Sequence, residues 1–252
     1  MPASQHPVFK QPADLSVPIW RYMDFTKFVS MLESSSLYFA RADLLGDPFE
    51  GSYSRGNERL RPEIHKEIYK DLPVEALTNL VSGQANFAKW FRSWVFINCW
   101  HMNESESAGM WKLYAKTNEA VAVRSSFLRL SNGLDKKAYV GMVDYIDFDR
   151  DWLPEGNSLY PYVHKRLSFA HEREVRAVII HELPIKDNVL DWTAVPPIDG
   201  MEEKINLFEL IESVYVAPTS PNWFKLLVEQ VCRRYALTVK VVRSSLDEEP
   251  FF

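Results

Sequence analysis

Three observations predict an α+β fold, a single domain built on a curved, mixed but largely antiparallel sheet with flanking helices. Apolar runs of strand length recur from Val17 to Val242. Helical periodicity falls between them without a regular strand–helix–strand rhythm. The 252 residues contain no repeat, low-complexity tract or Gly/Ser linker. That bounds the chain to one domain over 17–252, preceded by an irregular arm, 1–16.

The arm holds three prolines and Lys10 as its only Lys or Arg. Val17 to Tyr22 reads as a first strand, with Pro18 tolerable at its start. Asp24 offers a cap for a helix on which Phe25, Phe28, Val29 and Leu32 recur at helical spacing. Leu37 to Ala40 is a second short strand, and an acidic irregular segment runs on through Gly56. Residues 62–92 are mainly helical by periodicity. Pro62 at a first turn, with Pro73 and Gly83 as breaks, predicts two or three helices. Ser93 to Trp100 is apolar on both faces and is predicted to be a central strand. Ser105 or Ser107 caps a helix carrying Met110, Trp111, Leu113 and Tyr114. Strands follow at Glu119 to Arg124 and Ala138 to Ile146, then a helix over Leu159 to Ala170. A strand opening on Glu172 comes next. A strand at Ser213 to Ala217, a helix from Ser220 to Tyr235 with Pro221 at its first position, and a strand at Leu237 to Val242 complete the chain.

An apolar share of 46% with 25% charged residues is that of a soluble globular protein, and no apolar run reaches the roughly 18 residues needed to cross a bilayer. A cytoplasmic location without membrane contact is expected. Two lone cysteines, Cys99 and Cys232, make neither a disulfide framework nor a zinc site, and both are expected to be buried thiols. His164 and His171 are not spaced for a metal, and no metal site is predicted. The net charge of −5 argues against wholesale nucleic-acid binding. The nine glycines never fall closer than five apart, so no dinucleotide fingerprint exists. Gly46 to Gly51 has phosphate-loop spacing, but Ser52 stands where the lysine belongs.

The densest charge beside apolar residues is at His171 to Ile180, a Glu-x-Glu-x-Arg series running into a β-type stretch. On a strand, Glu172, Glu174 and Arg176 share one face, the two carboxylates about 7 Å apart. Such a pair raises one pKa toward the range useful for proton transfer, or stays ionised against a cation. The competing reading is a structural ion-pair network with Arg21 or Arg124, and His171 as the residue that turns the chain into the strand. Trp20-Arg21-Tyr22 suits an anion or ribose edge with an aromatic to stack, and Arg21 is expected to partner Glu174. Asp47 and Glu50 form a turn across Pro48, two carboxylates that in principle hold a divalent ion. Trp111 and Tyr114, three apart, share a helix face, either as core or as a binding wall.

Taken together, Trp20-Arg21-Tyr22, Asp47 to Glu50, Met110-Trp111 with Tyr114, and Glu172-x-Glu174-x-Arg176 resemble the motif series of a bacterial family. That family is catalogued as a domain of unknown function and is found near phage-defence genes. The chain departs from its pattern at Trp100-His101 and Ala170-His171. The order of an early arginine, an aromatic helix and a late Glu-x-Glu strand is also similar to the ADP-ribosyltransferase plan. That resemblance implies NAD as substrate rather than as a tightly bound cofactor, with Arg21, Tyr22 and Arg176 as nucleotide contacts. It also implies Tyr114 or Trp111 stacking, and Glu174, beside Glu172, stabilising the cationic transition state. A protein or nucleic-acid acceptor, in defence or as a toxin, is implied with it. Two other readings stand beside it: a non-catalytic nucleotide-sensing or protein-binding module, and a divalent-metal nuclease using Asp47 or Glu50 with Glu172 and Glu174.

Overall fold

In the computed structural model, which describes residues 3–115, 117–248 and 250, most of the strands join one nine-stranded sheet with helices against it. The predicted α+β class with a mixed, largely antiparallel sheet is what the chain adopts. β1 (Pro18–Asp24) leads into α1 (Phe25–Ser34), and β2 (Ser36–Arg41) follows after Ser35 turns in the left-handed region. α2 (Arg55–Ile68) and α3 (Val74–Phe91) form the predicted helical segment. Two details differ: Pro62 lies inside α2 rather than at a first turn, and Gly83 lies inside α3 rather than breaking it, so Pro73 alone separates the two helices. Ser54, accepting from the Asn57 N–H, starts α2 well before Pro62.

β3 (Val95–Met102) is the predicted central strand and is buried along nearly its whole length. α4 (Ala108–Tyr114) is capped by the Ser107 hydroxyl, then come β4 (Ala120–Ser126), α5 (Phe127–Gly133), β5 (Ala138–Met142) and β6 (Asp144–Ile146). The predicted helix over Leu159 to Ala170 does not form. Pro161 sits in a single 3-10 turn (Tyr160–Tyr162), β7 (His164–Arg166) pairs with β6, and a second 3-10 turn covers Leu167–Glu172. Apolar spacing there reflects burial on several sides, which periodicity cannot separate from a helix. β8 (Glu174–Ile180) follows, then a small hairpin of β9 (Ile185–Lys186) and β10 (Val189–Leu190). β11 (Gly200–Lys204), α6 (Leu207–Leu210), β12 (Ser213–Val216), α7 (Asn222–Arg234) and β13 (Lys240–Arg243) complete the chain.

The sheet order β11-β2-β3-β1-β4-β12-β13 contains a fork. Along one edge β3 pairs with β8 from Val95 to His101, and β8 in turn pairs with β5. Along the other edge β3 pairs with β2 only through Phe96 and Ile97, and with β1 only through His101 and Met102. The strands β1 and β2 therefore diverge from β3 and leave Asn98, Cys99 and Trp100 facing a gap. Every pair in this sheet is antiparallel except β12 with β13.

Apolar side chains pack both faces of the sheet. One face buries Ile19, Phe28, Phe96, Trp100, Val175, Phe127 and Phe224 against α1, α5 and α7. The other buries Ile97, Val178, Phe91 and Tyr162, with Trp20, Tyr22 and Trp111 beyond them. The arm is bound to the domain: Val8 and Phe9 are buried, and Ser4 and Lys10 bridge to Tyr139 and Met142 of β5. Gly141 permits this, since a Cβ there would meet Phe9 backbone at 2.8 Å.

Candidate functional site

A cavity of about 770 Å³ opens at the fork, within the 300–1,000 Å³ range of small-molecule sites. Its walls bring together Arg21 and Tyr22 of β1, Tyr38 of β2, Cys99, Trp100 and His101 of β3, and Tyr114 at the end of α4. Lys165, Arg166, Phe169, Glu172, Glu174, Arg176, Asp47 and Glu50 close it. Of the predicted site residues, only Trp111 and His171 are not in its lining. Trp111 is buried edge-on to Tyr22, with its indole N–H on Glu106 at 2.9 Å, so it is core. His171 is exposed on the 3-10 turn, and Arg173, in the left-handed region at φ 41°, turns the chain into β8.

The acidic end is a buried cluster of three carboxylates and two cations. Arg176, with no exposed surface, donates to both oxygens of Glu50 at 2.7 and 2.8 Å, to Glu174 at 2.5 Å and to the Tyr162 carbonyl at 3.0 Å. The Lys165 ammonium bonds Glu172 and lies 2.8 Å from Glu174 and 3.6 Å from Glu50, with the Phe169 ring 4.5 Å away. β8 starts only at Glu174, so Glu172 is not on the strand; the intervening turn brings both carboxylates to one ammonium instead of spacing them along a face.

The Asp47-Pro-Phe-Glu50 turn supplies this cluster from across the fold. Asp47 accepts from the Phe49 N–H and pairs with Arg166 at 2.7 Å, and the Arg166 guanidinium lies 4.6 Å over the Phe49 ring. Gly51, at φ +66°, redirects the chain where a Cβ would strike the Tyr162 ring. Asp47 and Glu50 thus face different cations, Arg166 and Arg176, rather than converging on a shared ion.

Charge and burial set the protonation of the pair. Burial, then the contact with Glu174, pushes Glu172 up to about 7 against the pull of Lys165. Burial alone would raise Glu174 too, but Arg176, Glu172 and Lys165 outweigh it and hold that carboxyl well below the ordinary range. The two environments drive neighbouring carboxyls apart, leaving Glu172 as the one that exchanges a proton near neutrality. Burial also lifts the Cys99 thiol to about 12, so it is no nucleophile at neutral pH.

The basic end is Arg21, and it does not partner Glu174. The β1–β3 register sets Arg21 on the face of Ile19 and Met23, whereas Glu174, opposite His101, lies on the face of Trp20 and Tyr22. The fork lets both line one cavity from opposite sides of the sheet. Among the described residues no carboxylate lies within salt-bridge distance of Arg21. Its Nη2 reaches only the Tyr38 carbonyl at 3.4 Å, Nη1 is buried without a partner, and the group lies 5.9 Å over the Trp100 ring. Burial lowers its pKa to about 10, which leaves it charged at neutral pH. Arg124, the other expected partner, pairs with Glu212. Tyr22 is 6% exposed and its hydroxyl accepts from the Ser107 N–H, whereas Tyr114 is 42% exposed.

Lys165 was not visible as a site residue. Its one trace in the sequence is arithmetic: three acidic residues in an apolar interior need more than Arg176 alone to balance them. Among the described residues no group of three or more His, Cys, Asp or Glu side chains is arranged to hold a metal, and no helix is long and apolar enough to cross a membrane. No protein-family model, curated protein or solved structure matches the chain.

Proposed function

We propose that the cavity binds a nucleotide-type small molecule and that the protein cleaves its glycosidic bond, with NAD as the substrate. The observation that carries the reading is Arg21, without a carboxylate partner, at one end of a cavity whose other end holds the Glu172 and Glu174 carboxyls side by side on Lys165. A guanidinium with one nitrogen buried and unpartnered is costly, and an anionic group such as a phosphate removes that cost by accepting from its planar fork. The half-exposed Tyr114 ring offers a face to a base. Glu172 replaces Glu174 as the reacting carboxyl. When Glu172 is ionised the cluster carries three negative and two positive charges, and the surplus negative charge favours the cation that develops as the bond opens. The same carboxylate then takes the proton of the attacking water or acceptor hydroxyl. Glu174, bound to both Arg176 and Lys165, holds the cluster together.

That engagement of Glu174 also favours a second reading, in which the pocket senses a nucleotide without turnover. The geometry does not favour a metal-dependent nuclease, because the carboxylates it would use are directed at Lys165, Arg166 and Arg176. Nicotinamide release from NAD by wild type, Glu172→Gln and Glu174→Gln separates the first two readings. Release abolished by Glu172→Gln in a folded protein supports cleavage. NAD binding with no release in wild type supports the sensor.

A further inference from the structure

The turn that delivers Glu172 is clamped from several sides. Arg173 holds a left-handed conformation that costs a non-glycine residue about 1 kcal/mol or more and persists only where its surroundings impose it. Its carbonyl accepts from the Met102 N–H at 2.9 Å, the Glu174 N–H donates to the Tyr145 hydroxyl at 2.8 Å, and the Glu174 carbonyl accepts from the Val143 N–H at 2.9 Å. The Glu172 carbonyl is taken by a side chain: His101 Nδ1 lies 2.6 Å from it. A carbonyl only accepts, so Nδ1 carries the proton. His101 is almost fully buried and stands directly opposite Glu174 in the β3–β8 register.

We propose that His101 is the positioning residue of this site, its Nδ1–H fixing the Glu172 carbonyl so that the Glu172 carboxyl meets Lys165 and Glu174. On an undistorted strand, side chains two apart stay about 7 Å apart along one face. Only the bent, clamped turn converges them on one ammonium. This inference rests on Glu172 as the proton-transfer group. Facing that carboxyl are Glu174 from β8, Lys165 from β7 and, across the cavity, the Tyr114 hydroxyl from α4. Burial lowers the His101 pKa, with Arg173 and His171 acting the same way and the hydrogen bond to the Glu172 carbonyl opposing them, and Nδ1 donates whether or not Nε2 is protonated, so its role does not change across the range in which Glu172 titrates.

The test follows the Glu172 carboxyl by carbon-13 NMR in the full chain, assigned by its loss in Glu172→Gln. His101→Asn keeps an N–H donor where Nδ1 stands, and His101→Phe keeps ring volume without one. The Asn variant is expected to titrate close to wild type. The Phe variant is expected to titrate lower by about one pH unit or more, as the carboxyl leaves Glu174 and regains water. If the Phe variant does not fold, His101→Gln, whose longer side chain misplaces the donor, carries the same expectation. A folded Phe or Gln variant with an unmoved midpoint overturns the proposal. The titration needs no substrate, so failure of nicotinamide release would strike the proposed reaction and leave this result to be read separately.

Discussion

Replacing Arg176 by Met removes four hydrogen bonds from a side chain with no exposed surface. Glu50 and Glu174, each nearly fully buried, are left with Lys165 as the one cation within salt-bridge distance among the described residues. Breaking a buried pair from one side costs about 3–5 kcal/mol, because the remaining charge stays desolvated. For a domain of this size that corresponds to a fall in Tm of about 6–20 °C. The loss depends on pH with a definite sign. In wild type the lowered Glu174 carboxyl contributes stability above its ordinary pKa and loses it as pH falls. In the variant the largest of the three interactions opposing burial is gone, so the same carboxyl sits higher and its ionised form destabilises as pH rises. Urea unfolding of both proteins at several pH values should therefore show the largest gap at pH 7 and a gap shrinking toward pH 4. A loss under about 1 kcal/mol at pH 7, flat with pH, would refute the account of the cluster.

Three further outcomes follow from the same geometry. Glu172 is raised, so its contribution is present below the ordinary pKa of 4.5 and fades as pH climbs through about 7. Glu172→Gln should erase that fade and be more stable than wild type by about 2 kcal/mol at pH 8, read by denaturant unfolding. Nicotinamide release, if general-base assisted by Glu172, should rise through pH 7 and level off above it; a rate falling over that interval would reverse the assigned role. Gly141→Ala should push the Phe9 backbone off β5 at a cost of about 1–3 kcal/mol, exposing the arm to limited proteolysis that spares wild type.

Much of the scaffold was legible because burial writes itself into composition. Val95 to Trp100 is apolar at every position except Asn98, and that is why β3 could be placed at the centre. The Asp47-Pro-Phe-Glu50 turn was readable from Asp before Pro, and Arg176 from its place inside an apolar run. Side-chain partnership was not readable. Glu172 and Glu174 look like strand neighbours, and only the left-handed Arg173, a conformation no sequence rule expects of arginine, bends them together. Arg21 and Glu174 match in the sequence on charge alone, whereas the register sends them to opposite faces and the fork, a property of three strands at once, reunites them in one cavity. Lys165 was hidden because apolar neighbours at Tyr162 and Val163 mimic helical spacing.

Equilibrium binding of NAD and of ADP-ribose, followed by calorimetry, reads whether Arg21 is held unpaired for an anionic ligand. A charge-assisted hydrogen bond is worth about 1.5–3 kcal/mol, so Arg21→Met should weaken both ligands by about 10- to 100-fold. The variant's Tm should be unchanged or higher, since no protein carboxylate loses a partner. Equal affinity in wild type and variant, or a variant that unfolds, would contradict the account and return Arg21 to the scaffold.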